Sequence, residues 1–330
     1  MEPAAREGLE RTGLPRSAGG PVLGHAFAVV GSDAELLAVA LPYLDAGLRA
    51  GDVVVLSGSP ETADLVAREL GEGSCALRVD PTITLLGSRA PDALARCGRY
   101  LDEALAGGVR LRALAEVQFG PEPEDWREGE RFESVYNRLM GNAPAAGLCL
   151  YDTRRLPGAV VRGAAATHPL CAGGAAWSAN AAYRDPTEHL VSLPRPREPL
   201  EETAPVLVVE NSPRLSDLRH QLAAVIAARV SDPEQQEDLR LGVAEIAANA
   251  FRHGRPPVSA RMWVDSHRMV CEITDGGTSF DDPFAGFLPA HGPDLGRGGM
   301  GLWLARKLWD HVDLIRRPDG FTVRLSTRLR

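Results

Sequence analysis

The chain begins its patterned part with an apolar stretch at 25–31, HAFAVVG, and then switches to helical spacing over 34–49. A second apolar run at 52–56 ends at Ser57-Gly58-Ser59-Pro60 and leads into a helical pattern at 61–70. The alternation continues with a short run at 76–79, a helix at 89–106, a run at 109–116, a helix at 132–140 and a run at 147–151. Short apolar runs without polar alternation mark strands covered on both faces, and strands that alternate with helices form a parallel sheet. The pattern predicts an α/β domain with a parallel sheet at 21–184. The Glu-, Pro- and Trp-rich stretch after 116 and the Gly-rich stretch at 172–176 read as loops.

Residues 185–205 break this pattern. Prolines at 186, 194, 196, 199 and 205 stand among charges, the composition of an interdomain linker in which short local structure can form. A second domain, 206–330, opens with a strand at 206–210. Ser212-Pro213 starts a helix whose apolar face carries Leu215, Leu218, Leu222, Val225 and Ile226. Asp232-Pro233 starts the next, with Gln235 at capping-box spacing, and it runs to about 252. Runs at 258–264 and 269–274 form a hairpin around Asp265-Ser266. A helix at 300–309 precedes two strands, 311–315 and 321–327, joined across Arg317-Pro318-Asp319-Gly320. Helices on one face of a mixed or antiparallel sheet make an α+β two-layer sandwich.

Composition supports this division. A chain of 330 residues, 44% apolar, is long for one core and suits two. A net charge of -8 argues against wholesale coating of nucleic acid, though not against a local basic patch, and no direct nucleic-acid partner is expected. The cysteines at 75, 97, 149, 171 and 271 form no CxxC pair, and none neighbours a His at metal-ligand spacing. They read as buried or half-buried thiols of a reducing compartment. Residues 1–20, polar and rich in Gly, Pro and Arg, read as a disordered tail without a secretory signal, and the apolar run at 34–41 is too short to span a bilayer. A soluble, cytoplasmic protein with no membrane partner is expected.

Three clusters in the second domain carry chemistry. Glu245, Asn249 and His253 recur every four residues and share one helix face, beside an apolar face of Leu239, Val243, Ile246 and Ala250. An Asn oxygen there can hold Mg2+, whereas His253-Gly254 can equally just end the helix. Asp275-Gly276-Gly277 follows a strand directly. Its carboxylate can accept the exocyclic amine of adenine, and Gly277 lets backbone approach the ring. Gly296-Arg297-Gly298-Gly299-Met300-Gly301-Leu302 runs into a helix, whose first N–H groups suit phosphate oxygens, with Arg297 adding charge. Residues 283–299, rich in Pro and Gly, read as a lid that nucleotide orders.

These clusters, in this order, resemble the three boxes of the ATPase superfamily shared by gyrase-type enzymes, the Hsp90 chaperone, histidine kinases and MutL-type proteins (GHKL). Within that superfamily the segment resembles the anti-sigma-factor serine kinases of bacterial stress and sporulation control. The resemblance implies Glu245 as catalytic base and Asn249 as Mg2+ ligand. It implies nucleotide contacts from Asn249, His253, Asp275, Gly277, Gly296, Arg297, Gly298, Gly299, Gly301 and Leu302. A sensor histidine kinase is the competing member of the superfamily. His220 lies on the preceding helix, but Gln221 follows it where that class has an acidic residue and then a proline.

The first domain has neither a GxxxxGK[ST] loop nor a GxGxxG turn. Gly31-Ser32-Asp33 and Gly58-Ser59-Pro60 follow strands but lack the phosphate-binding lysine. Gly24-His25, Ala50-Gly51-Asp52, Glu116, Trp126, Glu133, Asn137, the stretch from Cys149 to Arg154, and Thr167-His168-Pro169 resemble the sensory domain named for methanogen and methylotroph regulators (MEDS). That implies a three-layer, recombinase- or clock-ATPase-like core without its phosphate loop, and an unknown sensory ligand. His25, Glu116 and His168 are candidates for a metal site, although their spacing does not demand one, and hydrogen-bonded histidines at a strand edge are the plain alternative.

The full architecture is similar to actinobacterial anti-sigma regulators of the RsbA kind. It implies a regulator that binds ATP and Mg2+, holds a sigma factor and phosphorylates a Ser or Thr of an anti-anti-sigma (STAS-type) partner, with a homodimer as one assembly. A nucleotide-switched binding module without phosphotransfer, a sensor histidine kinase and a metabolic ATPase remain as alternatives.

Overall fold

The computed structural model describes residues 24–173, 176–277, 282–289, 300–318 and 320–330. The tail expected at 1–20 lies outside them. The chain divides into two compact units. The first comprises the chain up to Pro81 with Cys97–Gln118 and Glu133–Pro186, and the second comprises Thr82–Arg96, Phe119–Phe132 and Thr187–Arg330.

In chain order the first part contains β1 (Gly24–Val30), α1 (Asp33–Ala50), β2 (Val53–Ser57), α2 (Pro60–Leu70), β3 (Arg78–Val79) and α3 (Ala90–Ala106). It continues with β4 (Leu111–Glu116), α4 (Pro123–Met140), β5 (Ala145–Asp152), α5 (Gly158–Thr167), β6 (Leu170–Gly173) and β7 (Ala176–Ala179). The sheet order is β3-β2-β4-β5-β1-β6-β7. Every pairing is parallel except β6 with β7, so the sheet is mixed and not purely parallel as the pattern suggested. The central β5 is buried along its whole length, as its unbroken apolar run requires. The glycines and prolines that stood near phosphate-loop positions serve helix starts instead. Ser32 and Ser59 cap α1 and α2 by accepting from the amides of Glu35 and Thr62.

Three readings of the first part change. The region after β4 is helical from Pro123, nine residues before the predicted start at 132, because Asp125 accepts from the Glu122 amide and closes the first turn. Residues 158–167 form a helix that the small, alanine-rich pattern concealed. The stretch read as a loop at 172–176 contributes to two short antiparallel strands.

The second part contains α6 (Pro186–Ser192), β8 (Leu207–Ser212), α7 (Leu215–Arg229), α8 (Pro233–His253), β9 (Val258–Val264), β10 (Arg268–Asp275), α9 (Gly301–Leu308), β11 (His311–Arg317) and β12 (Gly320–Arg328). Its sheet, β11-β12-β10-β9-β8, is antiparallel throughout. Leu218, Leu222 and Ile226 of α7 meet Leu239, Val243, Ile246 and Ala250 of α8 in one core with Met262, Cys271, Trp309 and Leu325. The helical spacing of those residues dictates that outcome. The proline-rich stretch at 185–205 carries short local structure, α6 and a 3-10 turn at Pro199–Glu202. The expected capping box at Asp232 is not formed. Asp232 accepts from Glu234, while the Gln235 side chain reaches Arg328 and Arg330 at the chain end.

One charged group lies deep in this unit. Arg324 is 2% exposed and bonds Asp313, Glu201 and the Pro196 carbonyl, at 2.5, 2.8 and 2.7 Å. Burial alone would raise the Asp313 pKa, but the guanidiniums of Arg131 and Arg324 hold it well below the usual carboxylate range. Removing one member strands buried charge. Asp313→Asn should lower unfolding stability by about 3–5 kcal/mol in urea titration at neutral pH. Because the folded pKa is depressed, the native contribution is complete above the ordinary carboxylate pKa and fades as pH falls through the lower folded value, so the difference between variant and native should shrink only in acid.

Candidate functional site

The nucleotide constellation is assembled on α8, β10 and α9. Glu245 and Asn249 lie one turn apart on α8, both half-buried, while His253 is exposed at its last turn. The helix ends at Gly254, whose amide bonds the carbonyls of Asn249 and Ala250. The backbone then turns back toward the end of β10, and the Gly276 amide bonds the Arg255 carbonyl at 2.7 Å.

Asp275, 8% exposed, closes β10. Its Oδ1 accepts the Gly277 amide at 2.7 Å and the Arg255 amide at 3.2 Å. Two backbone donors on one oxygen fix the plane of the carboxylate. Oδ2 makes no hydrogen bond among the described residues, which leaves it able to accept an amine from a planar ligand. The glycines here are required by space. A Cβ on Gly254 would collide with the Asp275 carboxyl carbon, one on Gly277 would sit 2.6 Å from Oδ1, and one on Gly320 would strike the Asp275 carbonyl.

The start of α9 completes the arrangement. A Cβ on Gly301 would lie 2.5 Å from Nδ2 of Asn249 and 3.2 Å from its Oδ1, so the helix start and the Asn amide are in direct apposition. Met300, the residue before α9, offers no side-chain cap. Among the described residues no side chain accepts from the first amides of α9, which stand beside Asn249, an arrangement suited to anionic oxygens. Leu302, half-buried, packs against the core of the unit. The chemistry of this set fits Mg-ATP: a carboxylate edge for the base, bare helix amides for phosphates, and an amide oxygen for the metal.

Gly296, Arg297, Gly298 and Gly299 lie outside the described residues, as does most of the lid expected at 283–299. Its first part is described, and it is anchored more firmly than its composition suggested. Phe287 is fully buried, with the Arg306 guanidinium 4.0 Å above its ring, and Arg306 also bonds the Ala285 carbonyl at 3.0 Å. Gly286, at φ +80°, lies so close to the Leu302 backbone that a Cβ would sit 2.7 Å from it. Residues 283–289 are therefore docked on α9, and nucleotide-dependent ordering is not expected of them.

Of the three metal candidates in the first unit, the structure joins two. His25 and His168 meet with ring centroids 4.1 Å apart. Glu116 lies elsewhere, accepting the Ser59 amide at 2.8 Å and pairing with Arg155 at 3.1 Å. Two residues that the spacing did not single out as ligands, Glu133 and Cys149, complete the group around the histidines. They are separated from His25 by more than 100 positions, and only the parallel register of β1 on β5 and the crossing of α4 bring them together. Of the thiols, Cys75 is exposed, against the expectation of burial.

Residues 24–169 match the family model of the MEDS domain, the methanogen/methylotroph DcmR sensory domain. Residues 209–327 match the model of the histidine kinase-like ATPase domain. No curated protein matches the chain. The chain thus carries an N-terminal MEDS domain and a C-terminal GHKL-type ATPase domain, the architecture of the anti-sigma regulators to which its sequence is similar. Among the described residues, no helix is long and apolar enough to cross a membrane.

Two substitutions test the site. Asn249→Ala should abolish Mg2+-dependent ATP binding in isothermal titration while leaving the fold intact; unchanged affinity removes the metal role. Asp275→Asn turns one acceptor edge into a donor. A hydrogen bond to a charged group is worth roughly 1.5–3 kcal/mol, so ATP affinity should fall about tenfold or more.

Proposed function

We propose that this chain is a cytoplasmic regulator that binds Mg-ATP through its ATPase domain, acts as an anti-sigma factor and phosphorylates a Ser or Thr of an anti-anti-sigma partner, under the control of its MEDS domain. The observation that carries the reading is the apposition of Asn249 with the uncapped start of α9, one helical turn from Glu245 and joined by backbone to the anchored Asp275. Asn249 would hold Mg2+, which supplies charge neutralisation at the phosphates. Asp275 would take the adenine amine, and Gly277 would lie under the ring. Glu245, half-buried on the Asn249 face, would orient and deprotonate an incoming hydroxyl. His253, exposed at the helix end, would reach nucleotide only at its periphery. Gly296 to Gly299, with Arg297, are assigned to the phosphate lid on their sequence alone.

The second reading is a nucleotide-switched binding module. It is favoured by the match of the second unit to an ATPase domain model, which nucleotide binding alone satisfies. The experiment that separates the readings uses the chain with labelled ATP, Mg2+ and the STAS-type protein captured with it from its native cytoplasm. Phosphate should appear on a Ser or Thr of the partner. Glu245→Gln should reduce transfer by about 10²–10⁴-fold with ATP affinity retained. Nucleotide-dependent partner binding without transfer supports the switch, and label on His220 of this chain supports the histidine kinase.

A further inference from the structure

The first unit contains a cluster that the nucleotide chemistry does not use. His25 comes from β1, Glu133 from α4, Cys149 from β5 and His168 from the junction of α5 and β6. Their exposures are 4, 3, 6 and 0%. Nε2 of His25 lies 3.2 Å from Cys149 Sγ and 3.3 Å from Glu133 Oε2. Nε2 of His168 lies 3.8 Å from that carboxylate oxygen, and Sγ lies 3.9 Å from it. All four atoms fall within 4.8 Å of one another.

The hydrogen bonds around the cluster decide which ring nitrogens face it as lone pairs. The Thr167 carbonyl can only accept, so the amide nitrogen of Asn137 must donate to it. That leaves Oδ1 of Asn137 toward His25 Nδ1 at 3.0 Å, and His25 must carry its proton on Nδ1. The Ala164 carbonyl, 2.9 Å from His168 Nδ1, fixes the second histidine in the same tautomer. Both Nε2 atoms therefore present lone pairs to Glu133 and Cys149. This is the preparation that metal-binding imidazoles show: the far nitrogen is bonded to a carbonyl and the near one is bare.

A hydrogen-bonded core does not account for the whole arrangement. His168 Nε2 is fully buried and has no hydrogen-bond partner. An acceptor left in that state costs free energy that a native core usually avoids. Gly147 on β5 keeps the space beside the cluster tight, since a Cβ there would sit 2.9 Å from the Tyr136 hydroxyl and 3.0 Å from His25 Cδ2.

We propose that His25, Glu133, Cys149 and His168 form a closed four-ligand site for a divalent transition-metal ion, with Zn2+ the best match. Tetrahedral Zn2+ has bonds of about 2.0–2.3 Å, which places ligand atoms roughly 3.3–3.8 Å apart, close to the separations found here. Two imidazoles, one thiol and one carboxyl are a ligand set typical of Zn2+ and unlike the all-oxygen sets of Mg2+ or Ca2+. Charge also balances. Burial lifts the Glu133 carboxyl to about 8 and the Cys149 thiol well above its ordinary value, so the metal-free group is neutral. On binding, the thiol and the carboxyl release their protons to solvent, and the two negative charges cancel those of the cation, leaving a neutral complex inside an apolar core. With four protein ligands and no open position, the site is structural: it ties α4 and the α5–β6 junction to the centre of the sheet.

The test uses the full chain stripped with chelator and then titrated with Co2+ and Zn2+. One equivalent of Co2+ should give the intense visible bands of tetrahedral coordination and a thiolate-to-cobalt charge-transfer band, both displaced by Zn2+. One equivalent of Zn2+ should raise the melting temperature by roughly 5–10 °C, reversed by chelator. Cys149→Ser should lose the charge-transfer band, and the double variant Cys75→Ser with Cys171→Ser should keep it, excluding the more accessible thiols. Glu133→Gln, close in shape, should keep the melting temperature of the stripped chain and lose the Zn2+ response, which holds the test open if Cys149→Ser does not fold. No tetrahedral cobalt spectrum with no Zn2+ shift, or a charge-transfer band that survives Cys149→Ser, overturns the proposal.

Discussion

Three backbone segments converge on Asp275 at distances that only glycine permits. Gly254 at the end of α8, Gly277 just beyond β10 and Gly320 at the start of β12 each leave no room for a Cβ against this residue. The consequence is a carboxylate held in one plane by two backbone amides, with its second oxygen directed away from them. The register of the β10–β12 pair and the exit of the chain from α8 both depend on this convergence. So does the position of α8, and through it the position of Glu245 and Asn249. The Asp275 edge and the face formed by Asn249 and the start of α9 are thereby parts of one rigid constraint. A site built in this way needs little reorganisation to meet a planar ligand.

Much of this was legible in the sequence, for physical reasons that differ from element to element. Residues four apart on a helix share a face whatever the rest of the chain does, so Glu245, Asn249 and the apolar stripe beside them were placed by spacing alone. Asp275 followed by glycines at the end of an apolar strand gave the second part of the site in the same local way. The contact of Gly301 with Asn249 was not readable, because it depends on how α9 packs against α8. In the first unit, the buried strands announced themselves by unbroken apolar runs. The antiparallel β7 and the alanine-rich α5 did not, since small residues carry little periodic signal. The grouping of His25 with Glu133 and Cys149 was hidden for a different reason: it depends on strand register and a helix crossing, and no local spacing encodes either.

Both units bury paired charges, Arg112 with Asp52 in the first, and the first adds a cluster of another kind. The second places full charges in its interior and pairs them, as Arg324 does with Asp313 and Glu201. The first gathers groups that burial keeps neutral, with His25 lowered to about 4 and Glu133 raised to about 8. Paired charges of the first kind are costly to break and fix one arrangement of the sheet and the segment before it. Neutral, convergent ligands of the second kind wait for a cation to make them charged.

In the proposed function, the second unit recognises adenine through Oδ2 of Asp275 and phosphates through Mg2+ held by Asn249 beside α9. The most direct measurement is a comparison of Mg-ATP, Mg-GTP and metal-free ATP binding to the full native chain by titration calorimetry. Mg-ATP should bind measurably, Mg-GTP at least about tenfold more weakly because its ring presents a carbonyl where adenine presents its amine, and affinity should fall markedly when Mg2+ is withheld. Equal affinity for ATP and GTP, or binding indifferent to Mg2+, would contradict it.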